Sequence, residues 1–205
     1  MRRFNGTGRL KMAIDIGSAT QAAPGREDCG NRCGWWVTAT RVVMAMVQSQ
    51  GGSAEPAHAA EIALASIGAR LARPLDEFFS TCNIRLRETH GVAMAVAVVD
   101  LGSGHMSMAA VGNIHTLLLS PNEDYRLVGT TGIVGRGFDS LATKSYTLAA
   151  GDTLMLLTDG MQMFPVPQRL LKTAALSSAL QARAMVERWG KLDGDAAALI
   201  YRHTA

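Results

Sequence analysis

The stretch of sequence that decides the fold runs from Gly151 to Gly160 and reads Gly-Asp-Thr-Leu-Met-Leu-Leu-Thr-Asp-Gly. Its apolar centre predicts a buried strand, because a short apolar run bounded by turn residues suits a strand that is covered on both faces. Asp159 stands at the tip of this strand, where Gly160 lets the backbone turn sharply and leaves the carboxylate free to meet a cation. Taken alone, a strand followed by Asp-Gly indicates only a turn, so the case for a cation-binding residue depends on the rest of the chain.

Hydrophobic periodicity outside this stretch predicts many strands and few helices. Alternating or continuous apolar runs predict strands at residues 11–16, 35–39, 42–47, 92–101, 106–111, 114–119, 125–128, 143–148, 153–157 and 196–201. Apolar residues at spacings of three and four predict helices at 54–73, at 75–88 and within 168–189. Short turns with Gly, Asn or Pro join most neighbouring strands, which favours antiparallel pairing. The order of elements predicts an α+β fold with two mainly antiparallel sheets covered by helices, rather than a βαβ alternation.

The composition is that of a globular chain, with 205 residues, 48% hydrophobic and 18% charged, and this length predicts a single domain over 1–205. No apolar run approaches the roughly 20 residues that cross a bilayer, and the N-terminus lacks a secretory signal, so we expect no membrane association. Scattered basic residues and a net charge of +3 argue against nucleic acid binding. The cysteines (Cys29, Cys33 and Cys82) are odd in number and too few for a disulfide framework, which favours a cytoplasmic location.

Further motifs stand on both sides of Asp159 and occur in a characteristic order. They are the hairpin Gly91 to Val111, the turn Gly112-Asn113, the glycine segment Thr131 to Gly135, the opening stretch Ile16 to Asn31 and the closing stretch Gly194 to Ala197. Together these motifs resemble the PPM-type metal-dependent serine/threonine phosphatases, in their SpoIIE-like branch, over nearly the whole chain. Without an additional sensor domain, the chain is most similar to the stand-alone RsbX-like phosphatases. The resemblance implies an α-β-β-α sandwich and chemistry on phosphoserine or phosphothreonine.

The resemblance also implies a binuclear Mg²⁺ or Mn²⁺ centre between the sheets, with a bridging water as the nucleophile. Carried over motif by motif, the family's first ligand falls on Asn31, and its second, an Asp-Gly pair, falls on Gln48 and Ser49. The third ligand falls on Asp159, which keeps its carboxylate, and the fourth falls on Gly194. Three of the four carboxylates are thus replaced, so two adjacent divalent ions would lack the negative charge that offsets their repulsion. We expect a normal binuclear site not to form.

Displaced carboxylates offer an alternative set of ligands. Asp28 lies three residues before Asn31, and Asp193 and Asp195 flank the fourth position. With Asp159 they would form a weak mononuclear site for Mn²⁺ or Mg²⁺. Gln48 has no acidic neighbour that could replace it in this way.

Three functions therefore remain open from the sequence. The leading hypothesis is an RsbX-like protein of bacterial stress or partner-switching signalling that acts on a phosphorylated regulatory or scaffold protein. That partner would be of the stressosome or anti-sigma antagonist type, and hydrolysis would be weak or lost. The second hypothesis is an active Mn- or Mg-dependent serine/threonine protein phosphatase that uses the displaced carboxylates. The third is a non-catalytic protein-interaction module that never binds phosphate.

Overall fold

Strands dominate the architecture because short apolar segments bounded by turns recur along the chain. The computed structural model describes residues 14–26, 28–49, 55–121, 123–162 and 176–204. Within these residues the strands are β1 (Asp15–Gln21), β2 (Asn31–Val37), β3 (Arg41–Ser49), β4 (Val92–Asp100), β5 (His105–Val111), β6 (His115–Leu119), β7 (Asp124–Leu127), β8 (Gly132–Ile133), β9 (Gly137–Phe138), β10 (Lys144–Thr147), β11 (Thr153–Leu157) and β12 (Ala196–Arg202). The helices are α1 (Glu55–Gly68), α2 (Leu75–Arg85) and α3 (Ser178–Trp189).

Ten of these strands form two five-stranded sheets. Sheet 1 has the order β1-β12-β11-β6-β7, and sheet 2 has the order β10-β5-β4-β3-β2. Every pairing of neighbours within the two sheets is antiparallel. The remaining two strands, β8 and β9, form a small hairpin in the glycine segment, where no strand was predicted. The predicted α+β fold with two antiparallel sheets is confirmed.

Three apolar layers hold the sheets and helices together. Met44, Leu154 and neighbouring residues fill the space between the sheets. On the outer face of sheet 2, Val43 packs against α1 and α2, where Phe78 and Phe79 are almost fully buried. On the outer face of sheet 1, residues of β11 and β12 pack against α3. Successive residues of β3 thus enter different layers, as a strand that is apolar on both faces requires, and the molecule is an α-β-β-α sandwich.

Strand boundaries shift by a residue or two in several places, and two larger differences from the sequence prediction arise from tertiary contacts. β1 continues through Gly17, which was expected to end it, because α3 packs directly on this strand: a Cβ on Gly17 would lie 2.3 Å from the Cα of Ala179. β2 begins at Asn31, four residues before the predicted start at residue 35. Its first residues are poor strand formers, and pairing with β3 holds them in the sheet.

The helices are shorter than the periodicity predicts. α1 ends at Gly68 and is followed by turns, and α2 ends at Arg85, where the backbone N–H of Leu86 donates to the carbonyl of Cys82. α3 begins at Ser178, while residues 168–175 of that predicted helical region lie outside the described residues. Among the described residues, no helix is long and apolar enough to cross a membrane.

His203 directly follows β12, and its protonation makes the stability of the fold depend on pH. Its side chain is buried, and its Nδ1 lies 2.9 Å from the hydroxyl oxygen of Tyr201. Burial lowers the pKa of His203 from its ordinary value of 6.5, and the nearby charge of Asp152 acts in the opposite direction. His203 therefore binds a proton more tightly in the unfolded chain than in the folded state. The contribution of this residue to stability is present above pH 6.5 and is lost as the pH falls below that value.

We expect His203→Gln to lose less free energy of unfolding than the parent chain when the pH is lowered from about 7 to about 5. Urea denaturation at the two pH values measures this difference. His58→Gln, at an exposed position, is a control for the effect of the His-to-Gln substitution itself. An equal loss in the His203 variant and the parent would contradict the prediction.

Candidate functional site

The ends of four strands meet at one end of the sandwich, and each sheet supplies two of them. In sheet 2, β2 begins where its antiparallel partner β3 ends, so that Asn31 lies opposite Gln48. In sheet 1, β11 ends where β12 begins, which brings Asp159 close to the residues that precede β12. Antiparallel pairing thus gathers the positions that the family resemblance assigned from distant parts of the chain.

Asp159 is held by two side-chain amides. The Nε2 of Gln48 donates to its Oδ1 at 2.5 Å, and the Nδ2 of Asn113 donates to its Oδ2 at 2.5 Å. The bond from Gln48 joins sheet 2 to the tip of β11 in sheet 1. The other amide atom of Gln48, Oε1, is buried and has no hydrogen-bond partner among the described residues. The positive ends of two amide dipoles therefore face the oxygens of Asp159, and in a metal site these oxygens would face a cation.

Asp195 uses its carboxylate to hold the loop that follows β1. Its Oδ1 accepts from the backbone N–H of Ala23 at 2.7 Å, and its Oδ2 accepts from the backbone N–H of Gly30 at 2.6 Å. The guanidinium of Arg26 lies 3.8 Å from Oδ2. These partners stabilise the charge of Asp195, and they give the carboxylate a structural role in tying the loop to the start of β12.

Asn31 and Ser49 complete the contacts between the strand ends. The Nδ2 of Asn31, a buried side chain, donates to the hydroxyl of Thr158 at 3.4 Å, and that hydroxyl accepts from the backbone N–H of Ala197 at 2.9 Å. The hydroxyl of Ser49 donates to the carbonyl of Gly30 at 2.5 Å. Gly30 therefore contacts both Asp195 and Ser49, and these neutral polar residues connect the four strand ends.

The other predicted carboxylates do not join this network. Asp28 and Asp193 are exposed, and Gly194 is half-buried. Within the described part of the chain, no group of three or more His, Cys, Asp or Glu side chains is placed to hold a metal ion. Of the three displaced carboxylates, only Asp195 is anchored near the strand ends, and its hydrogen bonds point to the loop.

A binuclear Mg²⁺ or Mn²⁺ centre does not fit this set of side chains. Such hard cations need several oxygen ligands, most of them negatively charged. Here Asp159 is the one anionic residue at the four assigned ligand positions, and both of its oxygens already accept amide N–H groups. An N–H group presents a hydrogen rather than a lone pair, so the two amides cannot act as metal ligands through these nitrogens, and they engage both oxygens of Asp159.

Three participants were not assigned to the site from the sequence. Asn113 stood only within a Gly-Asn turn, and nothing in the local pattern showed that its amide would reach Asp159. Thr158 directly follows the apolar strand β11, and a polar residue at that position could have indicated a role in the site. Gly160 was expected to permit a turn, but it also leaves room for the backbone of Asp195: a Cβ on it would lie 1.9 Å from that carbonyl oxygen.

Comparisons with known proteins agree with the fold described above. The family model for stage II sporulation protein E (SpoIIE) matches residues 46–202. A solved chain described under the bacterial stressosome, "a modular system that has been adapted to control secondary messenger signaling", is 31% identical. The comparison covers 93% of this chain and 100% of that chain, with a TM-score of 0.87. No curated protein sequence gives a match.

Two more distant structures share the fold. RsbX in complex with magnesium is 13% identical with a TM-score of 0.78, and the match covers 93% of this chain and 99% of RsbX. The PP2C phosphatase domain of SpoIIE from Bacillus subtilis, solved with a fragment of its regulatory domain, is 16% identical with a TM-score of 0.72. That match covers 94% of this chain and 62% of the SpoIIE chain. The chain therefore belongs to the SpoIIE family of PPM-type phosphatases.

Proposed function

We propose that this chain is an RsbX-like, PPM-fold protein of bacterial stress or partner-switching signalling, acting in the cytoplasm as a single domain over 1–205. It recognises phosphorylated serine or threonine on a regulatory or scaffold protein of the stressosome or anti-sigma antagonist type. It hydrolyses the phosphate slowly or not at all, and any binding of Mn²⁺ or Mg²⁺ is weak. The 31% identity to a chain whose structure is described under the bacterial stressosome supports the signalling role. The three free cysteines suit a reducing compartment.

The observation that carries this proposal is the pair of amides on Asp159. Gln48 occupies a position where the family resemblance implies a carboxylate ligand, and its Nε2 donates to Asp159 instead. Since Asn113 donates to the other oxygen, both oxygens of Asp159 are engaged in hydrogen bonds without a cation. A neutral hydrogen-bond network of this kind maintains the shape of the site while removing the means to activate a water between two metals.

An active phosphatase that uses displaced carboxylates receives less support. Asp195 is committed to two backbone N–H groups and lies near Arg26, while Asp28 and Asp193 are exposed. Recruiting any of them would break bonds that hold the loop or require a rearrangement around Asp159. A module that never binds phosphate remains the third possibility, and phosphate-dependent binding distinguishes it from the proposal.

The test compares hydrolysis and binding in one preparation of the full chain. With a phosphoserine protein substrate, we expect turnover to be the same in Mn²⁺ and in EDTA, and to be unchanged in Asp159→Asn. Calorimetry should show no tight two-site binding of Mn²⁺. Metal-dependent turnover that disappears in Asp159→Asn would contradict the proposal and favour the active enzyme.

A further inference from the structure

A histidine and an arginine lie together on the outer face of sheet 1, at the end of the sheet nearest Asp159. Along β6, Leu117 and Leu119 pack in the layer formed with α3, so His115, two residues earlier, points to that same face. Arg126 on β7 pairs directly with Leu117 and therefore shares the face, one diagonal step from His115. His115 is half-buried, and Arg126 is exposed.

Lys191, like His115 and Arg126, lies near Asp159. Its backbone N–H donates to the carbonyl of Gly160 at 2.8 Å, which fixes the start of the Lys191 side chain next to the tip of β11. An isolated bridge between Met161 and Gly190 holds the same two segments together. The exposed ammonium of Lys191 thus belongs to a segment that is anchored beside Asp159 rather than to an independent loop.

The electrostatics of His115 agree with this placement. Its pKa is lowered from 6.5, first by burial and then by the positive charge of Arg126. Lys191 lowers it further, and Asp159 raises it. One imidazole therefore experiences both cations and the carboxylate, although these residues come from four separate segments of the chain.

Two strongly exposed apolar side chains border this group of charges. Leu192, next to Lys191, is 81% exposed, and Val128, two residues after Arg126, is 78% exposed. Among the described residues they are the two most exposed large apolar side chains. Exposed apolar residues beside fixed charges are typical of a surface that binds another protein, whereas a small free ion gains nothing from apolar contacts.

We propose that His115, Arg126, Lys191, Val128 and Leu192 form a phosphate-docking surface that binds a phosphorylated segment of a partner protein without a metal ion. This inference rests on the proposed function and specifies how the partner is recognised. A phosphoserine side chain carries about −1.5 to −2 charge at neutral pH, and in this site no pair of divalent ions neutralises it. Arg126 and Lys191 supply that charge through direct, charge-assisted hydrogen bonds. Val128 and Leu192 contact apolar residues on either side of the phosphate.

The test measures binding of a fluorescent peptide that carries one phosphoserine between leucine residues, with an unphosphorylated copy, in EDTA. We expect the phosphopeptide to bind the full chain at least about tenfold more tightly than the copy, since charge-assisted bonds to phosphate are lost in the latter. The double variant Arg126→Gln, Lys191→Gln should weaken phosphopeptide binding by about tenfold or more. Val128→Ser with Leu192→Ser should weaken it by about threefold or more, and leave competition by inorganic phosphate unchanged.

The double variant Arg73→Gln, Lys144→Gln is a matched control, because it removes two positive charges from exposed positions away from β6 and β7. It should bind the phosphopeptide as the parent does. The inference is overturned if both peptides bind equally, if neither binds, or if the Arg126 and Lys191 variant behaves like the control. The proposed function is tested separately, because hydrolysis of the phosphoserine protein substrate and binding of Mn²⁺ are measured without these variants.

Discussion

Restoring the family's residues together, with Asn31→Asp, Gln48→Asp, Ser49→Gly and Gly194→Asp, is expected to create a binding site for Mn²⁺. The change at Gln48 replaces an amide that donates to Asp159 by a carboxylate, and Asn31→Asp places another directly across the β2–β3 pair. A Cβ at Gly194 meets no atom within 4 Å, so the new side chain fits. Because several like charges would then converge, only a cation relieves their repulsion.

The stability of this variant should depend on metal in a way that the parent's does not. In EDTA we expect it to unfold at a lower temperature than the parent, because the carboxylates repel one another. With free Mn²⁺ at about 100 times its dissociation constant, binding adds about 2.7 kcal/mol to the free energy of unfolding. Calorimetric titration and thermal unfolding measure both effects.

The control for the restored site is the same variant with Asp159→Asn added. It should lose most of the Mn²⁺ affinity, because the carboxylate of Asp159, which the parent and the restored variant share, is gone. If the four substitutions together yield a folded protein that binds no Mn²⁺, the assignment of the ligand positions is wrong.

Replacing Gly160 by alanine should destabilise the protein by about 3 kcal/mol or more, a large effect for one methyl group. The added Cβ would lie 1.9 Å from the carbonyl oxygen of Asp195, which is backbone and cannot rotate away. Relief requires the segment before β12 to move, and this segment carries the carboxylate that holds Ala23 and Gly30. Chemical denaturation measures the loss, and hydrogen exchange at the amides of Ala23 and Gly30 should increase.

Gly194→Ala is the matched control, because the same methyl group there meets open space. We expect its free energy of unfolding to stay within about 0.5 kcal/mol of the parent's. A Gly160→Ala variant that is as stable as Gly194→Ala would show that the two segments do not approach each other as closely as described.

The layers of the fold were predictable because burial leaves a regular mark on the sequence. β3 is apolar at every position from Val42 to Val47, and a strand buried on both faces needs such a run. The boundaries were less predictable, since Gly17 and Asn31 are local breakers whose strand conformation depends on α3 and β3. Pairing with a distant segment outweighs intrinsic propensity at these positions.

The candidate site was predictable only in part. Motif order indicated that Asn31, Gln48 and Asp159 belong together, and the antiparallel register brings these residues to one end of the sandwich. The amide of Asn113 and the backbone N–H of Gly30 were not predictable, because hydrogen bonding across more than 40 residues depends on how loops pack. A sequence records which side chains are present, whereas their partners follow from the assembled fold.

The pairing of β1 with β12 has a consequence for how the protein is made. Asp15 pairs with Arg202 and Gln21 with Ala196, so β1 emerges from the ribosome long before its partner is synthesised. The pairs β2–β3, β3–β4 and β4–β5, in contrast, join strands that are consecutive in the chain and can assemble earlier. During translation the apolar residues of β1 therefore remain unpaired, and sheet 1 closes only after β12 has been synthesised. This interval is when the nascent chain is most prone to aggregate and to need a chaperone.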